Sequence, residues 1–340
     1  MKSLITVHPS FDAVWPFAAD HLAKLWQHQG ELIFIRTSDD EARPLHQIVN
    51  QLGNIERLSA LSIKVTPDCL AHMPALKEAA CLGPYSQDND PALNASLQAK
   101  GVRVYAQQSE GFWGQSVSEF ALALTLCSLR RIPQTYAAML RPAQAQGVWA
   151  YDPPQGLGRP GTRGQQFGDD PRFTHGTLEG KRLRIVGAGN IASRYASFAH
   201  MLGADVAAYD PFASEPNFHR AGSRREHHLE HLVRDAEIFV PMVPLTEGTR
   251  NLVKREHIYA LPTGCLVVLA TRALICDMAA IRERVLADEL SLAADVFDVE
   301  PLPPDDPLLG RHNVVHTPHN AGRTQQANER WAEMLAAQFI

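Results

Sequence analysis

Residues 183–192 set the strongest limit on the architecture, because a short apolar run, a glycine-rich turn and a helical pattern follow one another directly. The run LRIV precedes GAGNIA, in which Gly187 and Gly189 stand two positions apart and Ala192 completes the pattern. Apolar residues then recur at helical spacing, at Ile191, Tyr195, Phe198 and Leu202. A strand that turns straight into a helix opens a βαβ unit, so this region is predicted to form a parallel sheet covered by helices.

The same turn has the chemistry of a dinucleotide site. Gly187 permits the tight turn, Gly189 lets the backbone approach a pyrophosphate, and Ala192 lets helix and strand pack closely. Asp210 ends the next strand-like run, 210 − 189 = 21 residues on, where an acid binds the adenosine ribose and repels a 2′-phosphate. The predicted cofactor is therefore NAD rather than NADP. The alternative is a strand–helix turn that binds no ligand.

Composition favours a globular chain with a full core. The chain has 340 residues, 45% of them hydrophobic, which suits two domains better than one. A net charge of −5 without a long basic run argues against nucleic-acid binding. The longest apolar run, 120–129, is too short to span a bilayer, and the first residues do not resemble a signal peptide. Five scattered cysteines favour reduced thiols and a cytoplasmic protein.

Other site classes have weak support. The run HHLEH at 227–231 places two histidines one helical turn apart, but without a third ligand at a diagnostic spacing no metal site is predicted. Walker A, HExxH and nucleophile-elbow patterns do not occur in the sequence, which argues against phosphoryl transfer and hydrolysis.

Strand-like and helix-like runs alternate along two parts of the chain. In the first hundred residues strands are predicted at 4–7 and 32–35, and helices at 17–25 and 91–100. Beyond residue 180 the strand-like runs are LRIVG, DVAAYD, EIFVPMV, CLVVLA, LSLAADVF and NVVHT, with helix-like runs between them. This regular alternation predicts a doubly wound domain.

A helix is predicted between these parts. Ser116 and Glu119 match an S-x-x-E capping box, and an almost wholly apolar run follows. Arg130, Arg131 and Pro133 mark its expected end. A helix that is apolar on nearly all sides is expected to be buried, between domains or between subunits.

The stretch 150–176 is rich in glycine, proline and charge and shows no periodicity, so it is predicted to be a long surface loop. It contains a second G-x-G-x-x-G match, GLGRPG, which follows no strand and opens no helix. We therefore do not assign a cofactor site to it.

Four further stretches complete a family pattern: MVPLTEGTRNLV, VVLATRALI, ADVFDVEPLPPDDPL and HTPHNAGRT. Together with VGAGNIAS and AYDPF, in this order and spacing, they resemble the D-2-hydroxyacid dehydrogenase family. The resemblance implies a Rossmann doubly wound parallel sheet domain over 111–320, with a loop insertion at about 150–176. It also implies a smaller flavodoxin-like α/β substrate domain made of 1–110 and 321–340, and a homodimer formed through the apolar helix.

The resemblance also implies roles for single residues. Arg272 would bind and polarise the substrate, since a guanidinium presents several donors at once to a carboxylate and a carbonyl. His319 would act as general acid and base, and Glu300 would orient it. The implied cofactor-binding residues are Gly187, Gly189, Asn190, Ile191, Asp210, Pro244, Thr249, Ala270, Arg272, Asp295 and His319. The implied substrate contacts are Gly83, Pro84, Tyr85, Trp113 and Arg272.

The predicted reaction is the interconversion of a 2-oxo acid and a (D)-2-hydroxy acid with NAD(H), with substrate bound between the domains. Departures from the family pattern leave the substrate open: Leu269 and Ala273 replace its usual Asn and Gly, and Pro84 has no N–H to donate. Two alternatives remain. One is an NAD(H)-binding relative with altered substrate chemistry, and the other is a dinucleotide-sensing protein resembling a corepressor.

Overall fold

The apolar runs of the N-terminal part form one parallel sheet. The computed structural model describes residues 1–85, 90–107, 112–140 and 169–340. Five of its strands are β1 (Lys2–Val7), β2 (Glu31–Arg36), β3 (Arg57–Leu61), β4 (Glu78–Leu82) and β5 (Arg103–Val104). They lie in the order β2-β1-β3-β4-β5 with all neighbours parallel. This is the strand order of flavodoxin-like folds.

The strand-like runs that surround the glycine turn form a second parallel sheet. Its strands are β6 (Arg182–Val186), β7 (Asp205–Tyr209), β8 (Arg224–Glu226), β9 (Ile238–Pro241), β10 (Leu266–Leu269), β11 (Ser291–Ala294) and β12 (Val314–His316). The order is β12-β11-β10-β9-β6-β7-β8. The order reverses between β6 and β9, as in a Rossmann fold, and this reversal is where such sheets bind ligands.

Helices connect the strands on both faces. In chain order they are α1 (Pro9–Asp12), α2 (Ala18–Gln27), α3 (Leu45–Ile48), α4 (Pro67–Ala71), α5 (Pro91–Ala99), α6 (Gly114–Leu129), α7 (Ile132–Met139), α8 (Asn190–Met201), α9 (Glu215–Arg220), α10 (Leu229–Leu232), α11 (Arg255–Ala260), α12 (Met278–Leu286) and α13 (Gln325–Ala336). Within the described ranges, no helix is both long enough and apolar enough to cross a membrane.

The chain divides into two units. Unit 1 consists of Met1–Phe112 with Arg323–Ile340, and unit 2 of Trp113–Gly322. Helix α13 therefore joins the N-terminal sheet, where it packs on α2. Each unit has its own buried core.

Alternating side chains of the central strands of unit 2 fill two cores, one on each face of the sheet. Ile238 and Val240 belong to one cluster and Phe239, between them, to the other. The same alternation separates Leu266 from Val267. Because both faces are covered by helices, these strands are apolar at every position, which is why they appear in the sequence as continuous apolar runs.

The predicted start of α6 is wrong. The helix begins at Gly114, with Trp113 as its N-cap, and the Ser116 hydroxyl donates to the Trp113 carbonyl at 3.4 Å. Ser116 therefore lies inside the first turn. Glu119 accepts a hydrogen bond from Gln115 instead of completing a capping box.

The predicted end of α6 is confirmed, but the role given to Pro133 is wrong. The helix ends at Leu129, and Arg131 adopts a left-handed conformation with φ 51° before α7 begins. Pro133 therefore lies in the first turn of α7, where a missing N–H leaves no intrahelical bond unmade. Within the single chain, Ala123 of α6 is exposed. Residues 150–168 of the predicted loop, GLGRPG included, lie outside the described residues.

Candidate active site

The candidate residues of unit 2 follow the carboxyl ends of parallel strands. The glycine turn follows β6, Asp210 follows β7, and Pro244 lies beyond β9. Arg272 follows β10, and the loops that bear Glu300 and His319 follow β11 and β12. Because parallel strands end at one edge of their sheet, this set lies along the edge where α/β sheets bind ligands.

The two glycines of the turn between β6 and α8 have different surroundings. Gly187 has no room for a side chain, whereas Gly189 leaves room for a phosphate. Gly187 has φ +116°, and a Cβ there would lie 2.7 Å from the Met242 carbonyl oxygen. A Cβ at Gly189 would meet nothing within 4 Å. Ala192 is fully buried in the helix–sheet contact. The α8 N-terminus, with Asn190 and Ile191 as its first residues, therefore presents open backbone to solvent.

The carboxylate of Asp210 is fixed at the same edge. Its Oδ2 accepts the N–H of Ala188 at 2.9 Å, and its Oδ1 accepts those of Phe212 and Ala213 at 2.9 and 3.1 Å. The acid thus lies next to the glycine turn, where an adenosine ribose bound to a Rossmann domain would reach it.

Glu300 and His319 form a hydrogen-bonded pair. Nδ1 of His319 lies 2.6 Å from Oε2 of Glu300, and Oε1 of Glu300 accepts the Phe297 N–H at 2.8 Å. The two side chains are 42% and 34% exposed, so the imidazole is accessible to a ligand. A carboxylate on Nδ1 leaves Nε2 as the ring nitrogen that can exchange a proton with a substrate.

Asp295 holds the backbone around His319. The Asp295 carboxylate is fully buried and accepts the Thr317 hydroxyl at 2.6 Å and the N–H groups of Asn320 and Ala321 at 3.0 and 2.8 Å. His319 itself has φ 55°, which is unusual for a side chain other than glycine and is maintained here by these bonds. The carboxylate of Asp295, which the family resemblance assigns to the cofactor site, thus binds the His319 loop in the structure.

The remaining cofactor candidates line the neighbouring strand ends. Arg272 is exposed and donates to the carbonyl of Thr271 at 2.7 Å. Ala270 is buried at the end of β10. The Thr249 hydroxyl donates to the carbonyl of Pro244 at 2.5 Å, which closes the loop after β9.

Comparison with known proteins agrees with this geometry. Residues 157–321 match the D-isomer specific 2-hydroxyacid dehydrogenase, NAD binding domain. A hydroxypyruvate reductase of Thermotoga maritima is 30% identical over 271 residues, which cover 78% of each chain. The chain belongs to the D-isomer specific 2-hydroxyacid dehydrogenase family. The family, the α/β fold class and the NAD cofactor predicted from the sequence are thereby confirmed.

Other members of the family differ in length. A D-3-phosphoglycerate dehydrogenase of Methanocaldococcus jannaschii is 30% identical over 225 residues, which are 66% of this chain and 38% of that relative. The chain thus spans well under half of the length of that relative. The apo structure of Rhodotorula graminis D-mandelate dehydrogenase superposes with a TM-score of 0.67 over 99% of this chain and 92% of that one, at 20% identity. At that identity the likeness shows the fold alone.

The residues that family resemblance assigns to substrate lie in both units. In unit 1, Gly83, Pro84 and Tyr85 follow β4, and the Pro84 carbonyl accepts the indole N–H of buried Trp15 at 2.8 Å. Tyr85 is 44% exposed. In unit 2, Trp113 packs on Gly322, where a Cβ would lie 3.1 Å from the indole Cδ1. Their contact with substrate stays a prediction.

The sequence patterns did not predict a contact that supports the start of α8. A Cβ at Gly114 would lie 2.5 Å from the Asn190 side chain, so the start of α6 packs on the start of α8. Arg194 donates to Asn190 at 3.0 Å and to Gln115 at 2.9 Å. The only sequence signal for this contact is that residue 114 is a glycine, which allows close packing. No cluster of metal-ligating side chains occurs among the residues that the structure describes.

Proposed function

We propose that the protein is an NAD(H)-dependent oxidoreductase that interconverts a 2-oxo acid and a (D)-2-hydroxy acid. The observation that carries the proposal is the 2.6 Å pair of His319 and Glu300 on the strand-end edge that also bears Arg272 and the glycine turn. A proton donor, an anion-binding cation and a dinucleotide-binding turn are the three parts that this chemistry requires.

The residues present fit NAD. Open space at Gly189 and the α8 N-terminus suit a pyrophosphate, and the fixed carboxylate of Asp210 suits two ribose hydroxyls. We assign Asn190, Ile191, Pro244, Thr249, Ala270 and Asp295 to the same site. When bound, the nicotinamide supplies or accepts the hydride.

The protein residues supply the proton and the placement. In reduction, protonated His319 gives its Nε2 proton to the oxygen at C2, and in oxidation the neutral ring takes that proton back. Glu300 stabilises the protonated ring and fixes the tautomer in which Nδ1 carries a hydrogen. Arg272 binds the carboxylate of the acid and polarises the C2 oxygen.

The first test is NADH oxidation by the purified protein against a panel of 2-oxo acids, from small to aromatic. Arg272→Ala should reduce kcat/KM about 100-fold or more for the best acid, because a charge-assisted contact to the substrate is lost. Arg255→Ala serves as the matched control, since Arg255 is an exposed arginine of α11 that pairs with Glu283.

Each outcome discriminates between the alternatives. Turnover that collapses in Arg272→Ala but persists in Arg255→Ala supports the proposal, and the preferred acid identifies the substrate class. NADH binding without turnover of any acid contradicts it and favours a dinucleotide-sensing protein.

We further propose a homodimer formed through α6 and α7. In the part of the chain that the structure describes, no residue of α7 is buried. Its large apolar side chains and the one that follows it are 38–65% exposed, at Ile132, Tyr136, Met139 and Leu140. A stripe of this kind is typical of a surface covered by a partner, and a second copy presents the same stripe.

Tyr136→Glu should therefore convert a species with the mass of two chains into one with the mass of a single chain. Light scattering coupled to gel filtration measures this, with circular dichroism to verify that the variant is folded. A wild-type protein that is monomeric at micromolar concentration would contradict the dimer.

We place the protein in the cytoplasm, because all five cysteines are free thiols. Fractionation of the source cells, followed by detection with an antibody, tests this location.

A further inference from the structure

One arginine of α12 holds the loop that carries Glu300. Arg282 donates to Asp298 Oδ1 at 2.9 Å and to the two oxygens of Asp306 at 3.1 and 2.9 Å. Asp298 precedes Glu300 in the chain and Asp306 follows it. A single guanidinium therefore ties together the two ends of the segment in which Glu300 lies.

This cluster is partly withdrawn from water. The side chains of Arg282, Asp298 and Asp306 are 19%, 28% and 8% exposed. Screening is weaker there than at a surface ion pair, and the planar fork of arginine can hold two carboxylates at once. Removal of the guanidinium would leave two neighbouring carboxylates facing each other, and they would repel.

The position of the Glu300 carboxylate depends on this loop. Its Oε1 is bound to the N–H of Phe297, the residue next to Asp298, and its Oε2 to His319. If the turn at 297–300 shifts, the carboxylate shifts with it and the bond to the imidazole lengthens. Arg282 is thus connected to His319 through the loop at Asp298 and the carboxylate of Glu300.

We propose that Arg282 is a positioning residue for the reaction, acting through the 298–306 loop to keep Glu300 on His319. The inference rests on the proposed function, because the placement of Glu300 matters for turnover only if His319 transfers a proton. A misplacement of about 1 Å in such a constellation lowers turnover on the order of 100-fold.

The test compares Arg282→Ala, Arg282→Lys and the control Arg255→Ala, which removes an exposed arginine paired with Glu283 on the same helix α12. With the best acid of the panel, Arg282→Ala should lower kcat about 10- to 100-fold while the KM for NADH stays unchanged. Arg282→Lys should recover part of the loss, and Arg255→Ala should match the wild type. Unchanged kcat in Arg282→Ala overturns the inference.

A double-mutant cycle separates positioning from a general loss of stability. If Arg282 acts through Glu300, then Arg282→Ala should cost little further turnover in a Glu300→Ala background, because that background already lacks the hydrogen bond to His319. Independent effects that multiply in the double variant would overturn the inference.

Hydrogen exchange gives a readout that does not depend on activity. Arg282→Ala should speed amide exchange in peptides covering 297–306 and leave the peptides of β6 and α8 unchanged. If the wild type turns over no acid, the proposed function fails. The positioning role of Arg282 then fails with it. In a wild type that turns over an acid, unaltered exchange at 297–306 in Arg282→Ala overturns this inference alone, whereas faster exchange there supports it.

Discussion

His319 has its Nδ1 atom 2.6 Å from Glu300 and its backbone held by Asp295 through the two following N–H groups. Both partners, Asp295 and Glu300, lie well before His319 in the chain. The imidazole is therefore oriented by the single segment that follows β11, in which Glu300 binds its ring and Asp295 binds the backbone beside it. At the scale of single residues, the chemistry that we propose depends on these few bonds more than on the local sequence of the TPH segment.

Substitutions at Glu300 and His319 should lower turnover more than they weaken cofactor binding. His319→Gln should lower kcat about 100- to 10,000-fold, because general acid–base catalysis is lost. Glu300→Gln should lower it less, since an amide can still orient the ring but cannot neutralise its charge. Steady-state kinetics measures kcat, and NADH fluorescence should show that both variants still bind the cofactor. Equal turnover in wild type and His319→Gln would contradict the assignment.

The two glycines of the turn should respond differently to alanine. Gly187→Ala places a Cβ 2.7 Å from a backbone oxygen at a φ of +116°, so it should lower the melting temperature of the protein without ligand. Gly189→Ala meets no atom and should melt like the wild type, yet a Cβ there should obstruct the pyrophosphate and weaken NADH binding. Thermal melts with and without NADH measure both effects. NADH affinity that is unchanged in Gly189→Ala would contradict the cofactor site.

Helices α6 and α8 form a buried pair next to the glycine turn. The hydroxyls of Thr125 and Tyr195 lie 2.8 Å apart in the buried contact, and Thr125 also donates to the Ala121 carbonyl at 2.7 Å. Burial raises the pKa of Tyr195, so its phenol stays protonated at neutral pH. Tyr195 then has a hydrogen to donate, and Thr125 is its acceptor.

This arrangement predicts that substitutions of Tyr195 and Thr125 lower the unfolding free energy by different amounts. Tyr195→Phe should cost about 1 kcal/mol of unfolding free energy, because Thr125 keeps its bond to the helix backbone. Thr125→Val should cost about 1–3 kcal/mol, because the Tyr195 hydroxyl stays buried without an acceptor. Urea denaturation measures both values, and the double variant should be more stable than the sum of the two losses implies. Simple additivity would contradict the pairing.

Elements with a regular apolar signal could be predicted from the sequence. The runs LRIVG and CLVVLA became β6 and β10. Strand β8, Arg224–Glu226, was missed because it is a polar edge strand that buries no continuous apolar face. The start of α6 was misplaced because its position depends on the contact of Gly114 with Asn190, which lies far away in the chain.

The candidate site was predictable only where a motif carries its residues. Glu300 and His319 came from short segments, and the structure pairs them. Two further sets of bonds could not be predicted, those from Asp295 to the His319 loop and those from Arg282 to the Glu300 loop. The residues that they join do not recur at a fixed spacing in the sequence. Such contacts arise from the order of strands in the sheet, which a single sequence does not contain.

In the sheet of unit 2, a buried arginine with two acids lies at one edge, and the candidate site lies at the opposite edge. Arg184 in β6 is 2% exposed and binds Asp205 and Asp235 at 3.0 and 2.6 Å, at the end of the strand opposite the glycine turn. Replacing Arg184 would leave Asp235 with only its 3.9 Å contact to Arg182, and replacing one acid would leave the buried cation with a single carboxylate partner. This edge contributes to the stability of the sheet, and the other edge carries the candidate chemistry.

The pH dependence of stability follows from this cluster. The hydrogen bond from Arg184 lowers the pKa of Asp235 below its usual value. Because the folded value is lower than the unfolded one, the pair stabilises the protein fully above about pH 4 and less as the pH falls through the folded value. Urea unfolding from pH 7 to pH 3 should show the advantage of wild type over Asp235→Asn shrinking toward acid. Asp39→Asn, at an exposed site, is the control, and a constant difference would contradict the pairing.

The fixed carboxylate of Asp210 bears on attempts to re-engineer cofactor preference. An exchange of this acid for a small neutral residue is the obvious route toward a phosphorylated dinucleotide, since it removes the repulsive charge. Here the same oxygens also accept N–H groups from the glycine turn and from the segment after β7. Removal of the charge with a residue that has no acceptor would also remove the hydrogen bonds that hold the turn. Replacements that keep a hydrogen-bond acceptor, such as asparagine or serine, are therefore the better starting point.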